Sequence, residues 1–345
     1  MKPVVVFFDA FPDDKNFFES HLKEQFELVS VEKGLSVETV DQAAKAQVIA
    51  MHVTSPVTAD LMAKMPELKH IACRSTGFDH VDLKYAADHD ITVSSVPSYG
   101  DQTVAEYAIM LLLSLSRRLI PSVEATRAGH DVTPPDLTGH DLGGKTLGVI
   151  GTGKIGRKVI GMARGIGMTV VAYDPMPNNE AAQALGYTYV SLDELLAQSD
   201  AITLHAPALP ETEHILNKDA LVKVKSGVMI VNTARGTLID TPALIDALHS
   251  GKVASAGLDV LEGEEFLQVT PEYALLEANA ITDAKYRQVL ALDVLAKMPN
   301  VIMTNHNAYN SVEALDRIRQ TTADNIVAWQ SGHAQNLVKL PDKTS

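Results

Sequence analysis

Hydrophobic positions in the first hundred residues fall into short runs that are separated by mostly polar segments. These runs are rich in Val and Ile and too short for helices, which predicts strands. The predicted strands are PVVVFF, FELVSV, QVIAMHV, KHIACRS and ITVSSV. Segments with helical spacing lie between them, at about 13–23, 37–47, 58–66 and 82–88. This alternation predicts parallel strands joined by helical crossovers, and therefore an α/β layer structure.

A second series of the same kind begins at Leu147. Ser191 and Glu194 form a capping box that predicts a helix start. Residues 264–299 contain no predicted strand and are typical of one or two helices plus a loop, and a last helix is predicted over 312–330. The predicted strands of this series are LGVI, TVVAY, YTYV, AITLH, VMIVN, VASAGLD and VIMTN.

Three further segments between these strands have a clear pattern. A helix over 102–117 has an almost unbroken apolar middle, which predicts burial on several sides, between domains or subunits. Residues 129–144 are polar and rich in Gly, Pro and Asp, as in a loop or arm. Thr241 followed by Pro242 indicates a helix start, and this helix is predicted to end at Gly251.

Length and composition limit the class of protein. The chain has 345 residues, about right for two domains, and is 46% hydrophobic and 21% charged. A net charge of −14 without a basic run argues against nucleic acid or an anionic membrane as partner. The single Cys73 excludes a disulfide framework within the chain. Neither a signal peptide nor a bilayer-spanning run is found, so we expect a cytoplasmic protein.

A glycine-rich loop follows the strand LGVI and leads into a helix. Gly151 permits a tight turn, Gly153 allows the backbone to approach a pyrophosphate, and Gly156 allows close packing of helix on strand. The strand TVVAY then ends at Asp174, eighteen residues beyond Gly156. A carboxylate there accepts hydrogen bonds from ribose hydroxyls and repels a 2′-phosphate, so NAD is predicted in preference to NADP. The alternative is a structural turn plus a surface aspartate.

Residues 139–146 match the phosphate-loop pattern G-x-x-x-x-G-K-[ST] letter for letter. That motif functions only after a strand and at the start of a helix, where its amides converge. This copy follows a polar loop and precedes a strand, so we do not expect it to bind a nucleotide triphosphate.

Chemically useful side chains follow the strands of the second series. Arg235 comes after VMIVN, Asp259 ends VASAGLD with Glu264 five residues later, and His306 ends the last strand. Because ligands bind at the carboxyl ends of parallel strands, we expect these groups to lie near the dinucleotide. Each also has a purely structural alternative: a surface ion pair, a helix cap, a solvated acidic face or a structural histidine. No metal-binding spacing is found among the twelve histidines.

These residue types match the needs of hydride transfer between NAD and a 2-hydroxy acid. His306 can serve as the general base that takes the hydroxyl proton and returns it during reduction. Arg235 can hold the substrate carboxylate and polarise its carbonyl. Glu264 can favour the protonated form of the base during reduction.

The sequence resembles the NAD-dependent D-2-hydroxyacid dehydrogenases over nearly its whole length, and their D-lactate dehydrogenase branch most of all. The matching segments are RSTGFDHVDL (74–83), ITVSSVPSYGDQTVAEYAIMLLLSLSRR (91–118), LGGKTLGVIGTGKIG (142–156), LHAPALPETEHIL (204–216), VNTARGTLID (231–240) and GLDVLEGEE (257–265), together with the last strand and His306. Together they are far more specific than the glycine loop alone.

The resemblance assigns roles to particular positions. It makes Arg235 the substrate-binding cation, Glu264 the partner of the base and His306 the proton donor. It implies that amides of the loop with Thr76 and Gly77 receive the substrate carboxylate, with Tyr99 close by. The implied dinucleotide contacts, besides the three glycines, are Lys154, Ile155, Asp174, Ala206, Pro207, Thr212, Thr233, Ala234 and Asp259.

The resemblance also implies an architecture and an activity. Two Rossmann-like doubly wound parallel-sheet domains would flank an active-site cleft. Residues 1–100 with 311–345 would bind substrate and 101–310 would bind NAD, and the chain would form a homodimer around helix 102–117. The implied activity is reduction of pyruvate to D-lactate. The alternatives are a D-2-hydroxyisocaproate-type enzyme for larger keto acids, or an NAD(H)-sensing protein like the related corepressors.

Two departures from the family pattern stand out. Asn305 takes the place of the proline that usually precedes the catalytic histidine, so His306 is expected to be less rigidly placed or to gain a hydrogen bond nearby. The spacing from Glu264 to His306 is longer than usual. The insertion, around 266–297, is expected to alter the rim of the pocket or the dimer surface.

Overall fold

The computed structural model describes residues 2–129, 137–264 and 283–343. The chain divides into two compact units, the first made of Met1–Gly100 with Asn310–Ser345 and the second of Asp101–Tyr309. Each unit is an α/β layer structure around its own parallel sheet. Within the described ranges, no helix has both the length and the apolar character needed to cross a bilayer.

The strands are β1 (Val4–Phe7), β2 (Glu27–Ser30), β3 (Val48–Met51), β4 (His70–Cys73), β5 (Thr92–Ser94), β6 (Thr146–Ile150), β7 (Thr169–Tyr173), β8 (Thr188–Tyr189), β9 (Ala201–Leu204), β10 (Val228–Asn232), β11 (Val253–Leu258) and β12 (Val301–Met303). The helices are α1 (Pro12–Leu22), α2 (Ala59–Met62), α3 (Leu83–Asp88), α4 (Asp101–Ser116), α5 (Leu119–Arg127), α6 (Lys154–Gly165), α7 (Asn179–Leu185), α8 (Leu192–Gln198), α9 (Lys218–Lys223), α10 (Thr241–His249), α11 (Asp283–Lys297) and α12 (Val312–Gln330).

The first unit has a five-stranded parallel sheet in the order β2-β1-β3-β4-β5. Successive side chains of β1 point to opposite faces, so Val5 and Phe7 join the apolar cluster that contains Phe18 of α1 and Ile326 of α12. Val6 joins the cluster on the other face. Apolar side chains on both faces explain why these strands read as continuous hydrophobic runs.

The second unit has a seven-stranded parallel sheet in the order β12-β11-β10-β9-β6-β7-β8. The strand order reverses between β6 and β9, because the chain runs outward from β6 to β8 and returns to add β9 on the other side. Helix α4 packs against α6, β10 and β11, and its buried residues include Ala105, Leu111 and Leu112. The predicted apolar helix therefore belongs to the core of this unit.

The predicted parallel α/β fold is confirmed, and each predicted strand is present. The helix predicted over 37–47 is wrong, because only a short 3₁₀ turn forms at Val40–Ala43. Thr39 explains the difference: its hydroxyl donates to the Gly34 carbonyl at 2.7 Å and accepts from the Ser36 amide at 2.9 Å. Such local bonds compete with helix formation.

Three other predicted helices differ in detail from the structure. The helix predicted over 58–66 ends at Met62. The helix at Thr241 is confirmed, but its N-cap is Asp240, whose carboxylate accepts from the Ala243 amide at 3.1 Å. Within the predicted insertion, α11 is present, and residues 265–282 lie outside the described residues.

A buried ion pair network joins three parts of the first unit. Arg74 follows β4 and is 1% exposed, and its guanidinium lies 2.8 Å from the carboxylate of Asp14 on α1. Arg319 of α12 contacts the other oxygen of Asp14, also at 2.8 Å. Burial would raise the pKa of Asp14, but the charge of Arg74 and hydrogen bonds from both arginines lower it below its usual value. The network thus requires an ionised Asp14.

We expect Asp14→Asn to lower the free energy of unfolding of the first unit by about 3–5 kcal/mol at pH 7, because Arg74 would be left buried without a counter-charge. Since the pKa of Asp14 is lowered by folding, its ionic contribution is complete above about pH 4 and is lost as the pH falls through the folded-state pKa. Urea unfolding at several pH values measures both effects.

Asp316→Asn is the matched control, since Asp316 contacts the same Arg319 but its side chain is 65% exposed. Its unfolding free energy should change by less than about 1 kcal/mol. Equal losses in the two variants, or a loss in Asp14→Asn that does not shrink in acid, would contradict the analysis.

Candidate active site

Two of the predicted cofactor residues meet where the strand order of the second sheet reverses. Gly151 directly follows β6 and has φ +93°, in the region that favours glycine. A Cβ at this position would lie 2.7 Å from the backbone nitrogen of Ala206, just beyond β9. The two turns therefore touch through their main chains, at the kind of crevice where open α/β sheets bind ligands.

The turn after β6 fits the pyrophosphate of a dinucleotide. Gly153 is the N-cap of α6, and apart from its two chain neighbours no atom of the described residues lies within 4 Å of a Cβ built on it, so a ligand can approach its backbone. A Cβ on Gly156 would overlap the carbonyl oxygen of Gly151, which places the start of α6 directly on the turn. Lys154 and Ile155 begin this helix, whose N-terminus favours negative charge.

Asp174 directly follows the neighbouring strand β7 and faces back to the same turn. Its Oδ2 accepts hydrogen bonds from the amide and the hydroxyl of Thr152, at 2.7 and 2.9 Å, and its Oδ1 accepts from the Met176 amide at 2.9 Å. Sequence reasoning did not single out Thr152. The only signal for it was its place between the first two glycines of the loop.

The other predicted cofactor residues lie at the carboxyl ends of β9 and β10. The Thr212 hydroxyl donates to the Pro207 carbonyl at 2.6 Å, and the Ala234 amide donates to the Asn232 side chain at 3.0 Å. The Thr233 hydroxyl is buried and has no hydrogen-bond partner within the described residues, as a group that awaits a ligand would be. Their contact with the dinucleotide stays a prediction.

Arg235 is placed by a tight turn after β10. The Asn232 side chain clamps this turn, since its amide nitrogen also donates to the Arg235 carbonyl at 2.8 Å. A Cβ on Gly236 would overlap the backbone of Leu261, so the turn lies directly against the segment that leads to Glu264. The turn thereby brings the guanidinium into the electrostatic environment of Glu264. Asn232 is another residue that sequence reasoning missed.

Glu264 and His306 form a direct pair. His306 Nδ1 lies 2.9 Å from Glu264 Oε1, with the two side chains 33% and 38% exposed. Burial would raise the pKa of Glu264, but the hydrogen bond and charge of His306, the Leu261 amide and the charge of Arg235 lower it. The acid, the base and the cation predicted from the sequence therefore meet in one electrostatic cluster of the second unit.

Asp259 holds the loop that carries His306. Its Oδ1 accepts from the Thr304 hydroxyl at 2.6 Å and the Asn307 amide at 2.8 Å, and its Oδ2 accepts from the Ala308 amide at 2.8 Å. The His306 amide also donates to the Asp259 carbonyl, and His306 has φ +54°. Hydrogen bonds to one buried aspartate thus fix the backbone where the family usually has proline, while Asn305 is exposed.

Two other histidines near the strand ends differ from His306 in their surroundings. Burial lowers the pKa of His205 to about 3, so this ring stays neutral near pH 7. His214 Nε2 lies 3.1 Å from Glu262 Oε1, a second histidine–glutamate pair. Among the residues that the structure describes, no group of three or more His, Cys, Asp or Glu side chains could hold a metal ion.

The predicted substrate loop lies in the first unit. The Thr76 hydroxyl donates to the Val96 carbonyl at 2.7 Å, and the Ser75 hydroxyl donates to the Gly77 carbonyl at 2.6 Å. The Tyr99 carbonyl accepts from Arg317 at 2.7 Å. These bonds give the loop a defined shape within its own unit, and the role of Thr76, Gly77 and Tyr99 toward substrate stays a prediction.

The phosphate-loop look-alike at 139–146 lies in the loop before β6. Its amides bond elsewhere in the fold: Gly144 donates to the Gly167 carbonyl, Lys145 to Leu142, and Thr146 to the carboxylate of Asp200. These three amides are used within the fold, and a strand follows the segment rather than a helix.

Comparison with known proteins identifies the family to which the chain is similar. The family model described as "D-isomer specific 2-hydroxyacid dehydrogenase, NAD binding domain" matches residues 109–308. The D-lactate dehydrogenase of Escherichia coli is 38% identical over 309 residues, which are 89% of this chain and 90% of that protein.

Two solved structures are similar over nearly the whole chain. The D-lactate dehydrogenase of Aquifex aeolicus, complexed with NAD and lactic acid, has a TM-score of 0.83 and is 35% identical in sequence. The matched region is 95% of this chain and 96% of the Aquifex chain. A D-2-hydroxyisocaproate dehydrogenase has a TM-score of 0.80 and is 30% identical in sequence. The matched region is 97% of this chain and 99% of that protein's chain.

The chain therefore belongs to the D-isomer-specific 2-hydroxyacid dehydrogenases, and it is an NAD-dependent oxidoreductase of that family. The family membership and the NAD cofactor predicted from the sequence are confirmed.

We expect Asp259→Asn to lower the free energy of unfolding by about 2 kcal/mol, because an amide cannot accept all the bonds that tie down residues 304–308. If Asp259 acts chiefly through this loop, the dissociation constant of NADH, measured by fluorescence titration, should change by less than about twofold. Urea unfolding measures the stability.

Asp193→Asn is the control, because this aspartate forms an ion pair with Lys223 but is 66% exposed. It should leave both quantities nearly unchanged. Unaltered stability in Asp259→Asn would contradict the anchoring role, and a large loss of NADH affinity would favour the predicted contact with the dinucleotide.

Proposed function

We propose that the protein is a D-lactate dehydrogenase, which reduces pyruvate to D-lactate with NADH. The observation that carries the proposal is the Glu264–His306 pair at 2.9 Å, with the charge of Arg235 acting on Glu264, in the same unit as the NAD turn. We further propose that the first unit binds the keto acid and the second binds NAD. The proposed compartment is the cytoplasm, which suits a chain with one cysteine, the buried Cys73.

The hydrogen bond of His306 supports a different proposed role for each ring nitrogen. An ionised carboxylate can only accept hydrogen bonds, so Nδ1 donates to Glu264 and Nε2 is the nitrogen that faces substrate chemistry. In reduction, Nε2 of the imidazolium donates a proton to the developing alkoxide; in oxidation, the neutral ring takes it back. Glu264 orients the ring through this hydrogen bond.

Arg235 supplies the fixed positive charge of the proposed site. Its guanidinium binds the carboxylate of the 2-keto acid and polarises the neighbouring carbonyl, which helps to stabilise the charge that develops on oxygen. Within the first unit, backbone amides of the loop with Thr76 and Gly77 are proposed to bind a keto-acid carboxylate. Bound NADH supplies the hydride.

The proposed substrate is tested by rates with NADH on pyruvate, 2-ketobutyrate, phenylpyruvate and 2-ketoisocaproate, with chiral analysis of the products. We expect the highest kcat/KM with pyruvate and D-lactate as product. Formation of the L-enantiomer, or no turnover of any keto acid, would defeat the proposal.

A preference for 2-ketoisocaproate would favour the alternative substrate class instead. These larger keto acids are included in the test because a D-2-hydroxyisocaproate dehydrogenase is among the similar structures. One methylene group changes discrimination by only about 1–3 kcal/mol, so modest differences in the pocket decide between the two substrates.

We expect His306→Gln to lower turnover by about a thousandfold, the usual contribution of a general acid. NADH binding should survive, because the dinucleotide turn lies on other strands. His214→Gln is the matched control, since His214 is also hydrogen-bonded to a glutamate. Equal loss of turnover in both variants, or loss of NADH binding in His306→Gln, would indicate that the histidine is structural.

We also propose that the chain forms a homodimer through α4 and α5. The helix α5 has no buried residue, although it contains several apolar side chains. Leu119, Ile120 and Val123 are 48%, 42% and 37% exposed. Met110 and Leu113 of α4 are 44% and 42% exposed. Apolar side chains clustered on two consecutive helices favour an interface with a second copy of the chain.

Ile120→Asp should shift the protein toward the monomer in sedimentation equilibrium, because a charge would be buried at the interface. Val222→Asp is the control, because Val222 of α9 is 68% exposed and lies outside the proposed surface. A parent protein that is monomeric, or an unchanged dimer in Ile120→Asp, would refute the proposed interface.

A further inference from the structure

A chain of hydroxyl groups leads from the interior of the second unit to the carboxylate of Asp174. The Thr152 hydroxyl lies 2.9 Å from Asp174 Oδ2 and 2.7 Å from the Tyr189 hydroxyl. The Tyr189 hydroxyl lies 2.9 Å from that of Tyr187 and accepts from the Asn178 amide at 3.0 Å. The carboxylate that the sequence predicts to bind the ribose is thus the end of a network of four side chains.

The donor and the acceptor of each hydroxyl–hydroxyl bond follow from the fact that each hydroxyl group has one proton to donate. An ionised carboxylate only accepts, so Thr152 donates its single hydroxyl proton to Asp174. The Thr152 oxygen must then accept from Tyr189, and the Tyr189 oxygen accepts from Tyr187. Burial, together with Tyr189, raises the pKa of Tyr187, so Tyr187 keeps the proton that it donates. Bonds that all point the same way polarise and strengthen one another.

The two oxygens of Asp174 therefore have different tasks. Oδ2 accepts two hydrogen bonds from Thr152, one from its amide and one from its hydroxyl. Oδ1 accepts one bond, from the Met176 amide, and keeps acceptor capacity. Oδ2 is thus the anchored oxygen, and Oδ1 is the oxygen that can accept from a ribose hydroxyl.

The anchor is rigid because its residues belong to regular structure or a tight turn. Thr152 is 2% exposed and lies between Gly151 and Gly153 of the dinucleotide turn. Tyr189 is paired with β7 through the register Ala172↔Tyr189, two residues before Asp174. The carboxylate cannot turn away from the ribose position without breaking its bonds to Thr152.

We propose that Thr152 and Tyr189 are positioning residues that set the preference of this enzyme for NAD over NADP, by locking the carboxylate of Asp174 toward the ribose. A locked carboxylate binds the 2′-hydroxyl of NADH and repels the 2′-phosphate of NADPH. A released carboxylate loses the first interaction and can move away from the second. The proposal depends on the confirmed cofactor class and not on the identity of the keto acid.

The test is the ratio of the dissociation constants of NADPH and NADH, measured by nicotinamide fluorescence without substrate. Asp174→Ala gives the full effect of removing the carboxylate. We expect Thr152→Val to lower the ratio by about tenfold, and Tyr189→Phe by about threefold, since it removes a bond one step further away. Thr152→Ser keeps the hydroxyl and should restore the parental ratio.

Tyr173→Phe is the matched tyrosine control, because Tyr173 directly precedes Asp174 but lies outside the hydroxyl chain. Its ratio should equal that of the parent. If Thr152→Val weakens NADH and NADPH equally, the threonine only supports the turn and the proposal fails. An unchanged ratio in Asp174→Ala would overturn it as well.

Circular dichroism and thermal unfolding establish that each variant is folded. Should Thr152→Val not fold, Tyr189→Phe carries the same test, and an unchanged ratio there would refute the proposal. The readout is binding, so failure here is distinct from failure of the proposed D-lactate chemistry, which the keto acid rates decide.

Discussion

The edge of the seven-stranded sheet where the chemistry is proposed depends on contacts of main chain with main chain. Gly151 touches the turn at Ala206, and Gly156 touches Gly151, so the first turn of α6 lies directly on the strand-order reversal. Gly236 touches the backbone of Leu261 in the same way. A Cβ at any of these glycines would force apart two segments whose main chains are in contact. The dinucleotide turn and the reactive groups would then no longer lie together at the same edge of the sheet.

Carboxylates at this edge do different work according to their burial. Asp259 is 1% exposed, and both of its carboxylate oxygens accept hydrogen bonds from backbone and hydroxyl groups of the loop after β12. Asp174 is anchored through one oxygen and presents the other. The Glu264 side chain is 38% exposed, and it faces an imidazole and lies in the field of a guanidinium. The buried carboxylate of Asp259 thus organises the backbone, whereas the two half-buried carboxylates, Asp174 and Glu264, are those with proposed roles toward the cofactor and the base.

Both units are built around a parallel sheet, but the proposed acid–base groups lie only in the second unit. In the first unit the buried charges are structural: Asp14 is ionised between Arg74 and Arg319 and ties α1 and α12 to the segment after β4. That segment continues into the loop with Thr76 and Gly77. The network therefore fixes the segment from which that loop begins.

The order of strands and helices, the dinucleotide turn and the residue types of the site could be predicted from the sequence, because they depend on local periodicity and short spacings. Distances along the chain could not predict that Thr152 and Tyr189 share a network with Asp174, or that Asp259 holds the loop of His306. These contacts join residues 37 and 48 positions apart, and the sheet register alone brings them together. Helix 37–47 failed for a different, local reason, since side-chain bonds between near neighbours in the chain replaced the helix that the spacing favoured. Pattern therefore determined which groups this chain possesses, and only tertiary packing decided which of them touch, because a hydrogen bond depends on distance in space and not along the chain.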